Sequence, residues 1–287
     1  MPLPTVNRIA FVCLIGVPLG SCAPPLAAPA ATQACSRAVR AVDGNQLWVD
    51  QDGAGEVTVA FEAGFGNDSS VWAEIAPQIR AVGAQTFVYD RAGMGKSTID
   101  TSAPYSIDND VHILRTLWTS CAVTGPIVMV GHSYGGGMSL LAAAQDPRVR
   151  GLVLLDGLVA KVYGSGQLEN NLATMRAQYD EIRRKAPALA KVAIPWAEAL
   201  PATMKRLDEV RVSPDLPIID IVAEHGQSTA EAARVWRDAH VEFTANHPAR
   251  ESILAAGSSH KVMADQPALV VDAILRMIDR VKATRRR

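Results

Sequence analysis

The chain has 287 residues, 48% of them hydrophobic and 20% charged, which is the composition of a globular protein with one large core. Its 28 Lys and Arg against 29 Asp and Glu leave a formal net charge of -1. No surplus of positive charge is available to neutralise a nucleic-acid backbone or an anionic membrane, so a nucleic-acid partner is excluded as an expectation.

The first 22 residues read as an export signal. Arg8 supplies a positive charge and Ile9 to Gly20 an apolar run too short to span a bilayer. Leu19-Gly20-Ser21-Cys22 closes that run and resembles the box at which bacterial lipoproteins are lipidated on cysteine. Cleavage further on, after Ala28-Pro29-Ala30, is the alternative. The expected location is therefore periplasmic, anchored through a lipid on Cys22, or else secreted, with no other membrane contact. Residues 23–45 form a linker and N-terminal segment that is rich in Pro and Ala as far as residue 33. Of the four cysteines, Cys13 leaves with the signal and Cys22 carries the lipid. Cys35 and Cys121 remain, as a disulfide suited to an oxidising compartment or as two buried thiols.

From about residue 46 to residue 283, short β-branched runs alternate with longer helical patterns, which predicts a mainly parallel sheet covered on both faces. Strands are expected at Val57 to Ala63, Gln85 to Asp90, Pro126 to Gly131, Val149 to Asp156, Pro217 to Glu224 and Arg250 to Ala256. Helices are expected at Ile107 to Cys121, Gly136 to Gln145, Thr229 to Asn246 and Pro267 to Ala283. The gap from about 157 to 213 is too long for a simple crossover. It carries an apolar stripe at Leu168, Leu172, Met175, Tyr179 and Ile182, then Trp196, Leu200, Met204 and Leu207, and reads as an inserted helical lid. Residues 284–287 end in three arginines and read as a solvated basic tail.

The chemistry centres on Gly131-His132-Ser133-Tyr134-Gly135, a G-x-S-x-G pattern after the apolar run Ile127-Val128-Met129-Val130. A strand that turns sharply into a helix strains the apex residue, and small neighbours two positions either side permit the approach. A serine hydroxyl needs a base within reach, and His260 follows the last strand in Gly257-Ser258-Ser259-His260. His132 flanks the serine and could shape the turn; His112, His240 and His247 fall in or at the end of helical patterns and read as surface residues. The acid that would orient His260 is Asp156, at the end of one strand, or Glu224, at the end of the next. Gly95-Lys96-Ser97 invites a phosphate-loop reading, but that motif demands glycine at position 90, where Asp90 stands.

With these residues, the stretch from about 46 to 283 resembles an α/β-hydrolase. Phe61-Glu62-Ala63-Gly64-Phe65-Gly66 lies where that family carries its oxyanion loop, with Ala63-Gly64 in place of the usual His-Gly. The resemblance implies that the backbone N–H groups of Phe65 and Tyr134 hold the developing oxyanion. Asp90-Arg91-Ala92-Gly93-Met94-Gly95-Lys96-Ser97 resembles the family's D-x-x-G-x-G-x-S turn, a structural motif behind the site. The family usually places its acid just after the later strand, where this chain has Gly226.

A serine with a histidine base performs acyl transfer through a covalent acyl-enzyme. The expected function is hydrolysis of a carboxylic ester of a small to medium, partly apolar molecule, with Ser133, His260 and Asp156 as the triad. Lactone, amide or carbon–carbon bond hydrolysis would use the same triad. A second class of reading is a receptor that keeps the hydrolase pocket and turns over slowly or not at all. No cofactor and no metal are implied.

Overall fold

The computed structural model describes residues 35–245 and 247–285. The export signal, the Cys22 box and the spacer expected over residues 1–33 lie outside the described residues, as do the last two arginines.

Eight strands form one sheet: β1 (Ala38–Val42), β2 (Asn45–Asp52), β3 (Thr58–Glu62), β4 (Gln85–Tyr89), β5 (Ile127–His132), β6 (Val149–Leu155), β7 (Ile218–His225) and β8 (Arg250–Ser259). Their spatial order is β1-β2-β4-β3-β5-β6-β7-β8. The β1–β2 and β2–β4 pairs are antiparallel and every other pair is parallel. β1 and the start of β2 fall in the segment read as a linker. The sheet therefore begins at Ala38 rather than near residue 46. Asp43 and Gly44 join them in a tight hairpin, both at positive φ (46° and 79°), as the favoured two-residue turn requires.

Nine helices are described: α1 (Ile75–Ala81), α2 (Ile107–Ser120), α3 (Tyr134–Gln145), α4 (Gln167–Arg176), α5 (Tyr179–Lys185), α6 (Pro187–Glu209), α7 (Ala230–Thr244), α8 (Val262–Asp265) and α9 (Pro267–Arg285). The central strands are apolar at successive positions because both faces are covered. Along β5, Ile127 and Met129 pack with α2 and α3 residues such as Leu114, Leu117 and Leu141. Val128 and Val130 point the other way, into a second core with Ile75 and Ile79 of α1 and Ile274, Met277 and Val281 of α9. β6 divides likewise, with Leu152 and Leu154 on the first side and Val153 and Leu155 on the second. The alternation follows from the period of two along a strand.

The gap between β6 and β7 holds α4, α5 and α6, a helical insertion of the kind expected. The first apolar stripe is divided between α4 and α5 instead of running through one helix. α6 contains Pro195 and Pro201. Cys35, just ahead of β1, is disulfide-bonded to Cys121 at the end of α2, across 86 residues of sequence. Among the described residues no helix is long and apolar enough to cross a membrane.

Candidate active site

β5 ends at His132 and α3 starts at Tyr134, so Ser133 alone makes the turn between them. Its backbone stands at φ 52° and ψ -121°, a region that costs a non-glycine residue about 1–3 kcal/mol and persists only where the surroundings hold it. They do hold it. Ser133 N donates to Leu155 O (3.1 Å), and Ser133 O accepts from Gly136 N (2.9 Å) and Leu158 N (2.8 Å). A Cβ on Gly131 would stand 2.5 Å from Gly135 O, and one on Gly135 would collide with Glu62 O, so both small residues of the motif are required by contact.

His260 follows β8 directly. Its Nδ1 lies 2.6 Å from Asp156 Oδ2. A carboxylate only accepts, so Nδ1 carries the hydrogen and the neutral ring keeps its lone pair on Nε2. His132 Nε2 donates to the backbone oxygen of His260 (2.8 Å), and the two rings stand 4.7 Å apart. The residue next to Ser133 thus fastens the loop that carries His260. Burial, with His260 as its neighbour, lowers the His132 pKa to about 4. Asp265 secures the same loop by accepting from Ser259 N (2.8 Å) and Ser259 Oγ (2.6 Å).

Of the two candidate acids, the structure brings Asp156 to His260. Glu224 is engaged elsewhere, its Oε2 accepting from Gly257 N (2.7 Å) in the bulged end of β8. Asp156 is fully buried and, like Ser133, lies at positive φ (46°). Its other oxygen accepts from Trp236 Nε1 (2.8 Å) and Ala223 N (3.1 Å). Two donors on one oxygen and His260 on the other fix the carboxyl plane. A Cβ on Gly226 would collide with Asp156 Oδ2. Glycine at that position is therefore a steric condition for an acid that arrives from β6. Sequence reasoning missed Trp236, whose place on α7 gives no local signal.

On the other side of Ser133 lies the segment after β3. A Cβ on Gly64 would stand 2.7 Å from His132 Nδ1 and 3.1 Å from Ser133 Cβ, which places this loop against the serine. Phe65 stacks on Trp196 of α6 with ring centroids 3.9 Å apart, and Trp196 meets Tyr134 edge-on at 6.0 Å. Three aromatic rings from the loop, the helix after Ser133 and the insertion therefore share one face of the site.

Behind the loop is a buried charged cluster that the sequence does not announce. Arg91 Nη1 donates to Glu62 Oε1 (2.5 Å) and Ala63 O (2.9 Å), and Nη2 to Gly64 O (3.1 Å). Tyr89 donates to Glu62 Oε2 (2.5 Å). Tyr134 (2.9 Å) and Tyr105 (2.5 Å) both donate to Asp110 Oδ2. Burial raises the Glu62 pKa to about 7 against the opposing pull of Arg91 and Tyr89, and burial raises Asp110 as well. The glycine-rich turn that follows Arg91 is structural: Asp90 accepts from Ser69 N and Lys96 N, and Ser97 Oγ donates to Asp90 O.

His240, expected at the surface, is buried. Its Nδ1 pairs with the equally buried Asp220 Oδ2 at 2.8 Å, behind Trp236. A helical pattern alone does not say which face a histidine occupies, and the Asp220 partner on β7 decides it. Among the described residues no group of three His, Cys, Asp or Glu side chains could hold a metal ion.

The alpha/beta hydrolase fold family matches this chain over residues 58–209. The protein YqjL of Bacillus subtilis is 27% identical over 223 residues, covering 77% of this chain and 83% of its own. The lipase LipV of Mycobacterium tuberculosis is 34% identical over 122 residues, 42% of this chain and 45% of its own. A carboxylesterase structure from the thaumarchaeon Nitrososphaera gargenis superposes with a TM-score of 0.66 at 16% identity, over 86% of this chain and 99% of that one. The haloalkane dehalogenase DatA of Agrobacterium tumefaciens superposes with a TM-score of 0.65 at 17% identity, over 85% and 96%. With the strand order, the strained serine turn and the family match over more than half its length, this chain belongs to the alpha/beta hydrolase fold family.

Proposed function

We propose that this protein is a serine hydrolase that cleaves a carboxylic ester of a small to medium, partly apolar molecule through an acyl-enzyme on Ser133. The observation that carries the reading is the 2.6 Å Asp156–His260 bond beside a serine held at positive φ. In this account Ser133 Oγ attacks the ester carbonyl while His260 Nε2 takes its proton. Asp156 holds the ring and stabilises the imidazolium. The oxyanion is received by the N–H groups of Phe65 and Tyr134, and loss of one such donor typically costs about 3–4 kcal/mol of transition-state stabilisation. Collapse expels the alcohol, which takes the proton back from His260. Water, activated by the same histidine, then frees the acid.

The serine sets limits. Family members that open epoxides or displace halide use a carboxylate nucleophile, so likeness to a dehalogenase reflects the fold. Phe65, Trp196 and Tyr134 offer an aromatic wall, which supports an apolar acyl or alcohol group and a lid role for α4 to α6. The receptor reading drew on an unplaced acid, and the bond between Asp156 and His260 supports the enzyme reading over it. Export remains part of the proposal, with the Cys35–Cys121 disulfide in favour of an oxidising compartment. Loss of lipid labelling in Cys22→Ala cells would establish the anchor, and labelling that persists would place it elsewhere.

Steady-state hydrolysis of short and medium p-nitrophenyl esters by the purified protein and by Ser133→Ala tests the function. The proposal expects many turnovers for the first and none above background for the second. A single burst without turnover would favour the receptor.

A further inference from the structure

The carbonyl and the N–H of one trans peptide unit point in opposite directions. The N–H of Phe65 therefore shares a rigid plane with the Gly64 carbonyl, and whatever grips that oxygen aims the N–H. Arg91 grips it: Nη2 donates to Gly64 O at 3.1 Å, while Nη1 donates to Ala63 O at 2.9 Å. A planar guanidinium that binds two successive carbonyls leaves little freedom to either peptide. A cation on a carbonyl oxygen also polarises the amide, which strengthens the N–H on its far side as a donor.

Arg91 is itself held. Glu62 accepts a further bond from Nη1 at 2.5 Å, and Tyr89 holds the second oxygen of Glu62. The guanidinium carbon lies 5.0 Å from the centre of the Tyr134 ring, whose hydroxyl is bound by Asp110. Arg91 and Glu62 are 4% and 1% exposed, so water does not compete for these bonds. One enclosed cluster thus grips the carbonyl of the peptide that carries the Phe65 N–H and packs on the ring of Tyr134, the two residues that supply the oxyanion donors in the proposed mechanism.

Resting on Ser133 as nucleophile, we propose that Arg91 is a positioning residue for acyl transfer: its guanidinium, locked by Glu62, orients the Gly64–Phe65 peptide and seats the Tyr134 ring, and so sets the oxyanion hole. A cluster that served only stability would not need to end on these two carbonyls, and buried ion pairs often stabilise no better than apolar side chains of the same volume.

The test is the double variant Glu62→Gln/Arg91→Met, which keeps volume and removes both charges of the pair together, beside Arg91→Lys, which keeps the charge but loses the fork. On p-nitrophenyl esters, the double variant is expected to lose on the order of 100-fold in kcat with KM within a few-fold, since the donor acts in the transition state. Affinity for an alkyl boronic acid, whose tetrahedral adduct on Ser133 imitates that state, is expected to fall in parallel. Arg91→Lys is expected to lose kcat by an intermediate factor with little change in melting temperature, and it decides the matter if the double variant does not fold. Arg148→Met, which breaks an ion pair to Asp146 remote from the site, is the control: melting temperature falls and kcat holds. Wild-type kcat in Arg91→Lys, or a fall in kcat with unchanged boronate affinity, overturns the proposal. Turnover that survives Ser133→Ala overturns the nucleophile assignment instead, so the two failures are distinct.

Discussion

Ion pairs occur both behind the serine and in the helical insertion, and they differ in kind. Arg91 and Glu62 are enclosed, and their bonds end on the backbone of the loop that faces Ser133. Arg176 and Glu198, which tie α4 to α6, are 55% and 40% exposed, and Arg183–Asp180 and Lys185–Glu181 lie along one helix in water. Enclosed pairs define a geometry because breaking one strands a charge, whereas exposed pairs are replaced by water at little cost. The contrast teaches where this chain is fixed and where it can adapt. The strand ends carrying Ser133, Asp156 and His260 are built from strained backbone and buried bonds. The insertion meets the loop after β3 and Tyr134 through the ring of Trp196, and its ion pairs lie in water.

The sharpest way to break that contrast is to alter a buried group at the end of β6. Asp156→Asn is expected to lower kcat by about 10⁴-fold, because an amide holds His260 in the wrong tautomer. Glu224→Gln, whose partner is Gly257 N, should stay within about tenfold. Equal losses would dissolve the distinction between the two acids. Next in size is the framework beneath. Cys35 and Cys121 close an 86-residue separation, so the double Cys→Ala variant should lose about 4.5 kcal/mol by loop-closure entropy, read in urea unfolding.

His132 is buried with its pKa depressed to about 4, below the unfolded value near 6.5. The unfolded chain binds the extra proton in that interval, so this histidine's share of stability is present above about pH 6.5 and is lost as pH falls toward 4. The share is on the order of 3 kcal/mol. In His132→Gln, which keeps a donor toward the His260 carbonyl, the stability lost between pH 6.5 and 4 should shrink by that amount. An unchanged loss would mean the ring is not enclosed. Smallest of all, Arg176→Ala in the insertion should move the melting temperature by only about 1 °C. A shift comparable with the disulfide's would show that the insertion is as rigid as the sheet.

The residues whose spacing dictates backbone were legible in the sequence. Gly131-x-Ser133-x-Gly135 marks a turn that only small neighbours permit, and the apolar runs of β3 to β7 mark strands buried on both faces. His260 was legible because a histidine just past the last strand has one obvious place to go. The hairpin of β1 and β2 was missed although Asp43-Gly44 is its signal, since the Ala-rich stretch before it blurred the alternation. Asp156 and Glu224 end adjacent parallel strands, and the sequence favours Asp156 only through Gly226, which stands where the family's usual acid would fall. Only the bond to His260 and the collision awaiting a side chain at Gly226 decide between them. Arg91, Trp236 and His240 were beyond reach for a common reason. Each acts on a residue more than ten positions away, Gly64, Asp156 and Asp220 respectively, and no local pattern encodes such a partner.

The central claim is that acyl transfer proceeds through Ser133, and the most direct measurement is mass spectrometry of the protein quenched during turnover of p-nitrophenyl acetate. The account predicts one acetyl group per chain, mapped to the peptide containing Ser133, absent from Ser133→Ala and persistent in a variant slowed at His260. Steady hydrolysis with no adduct on that serine, or an adduct on another residue that turns over as fast as the ester is consumed, would contradict it.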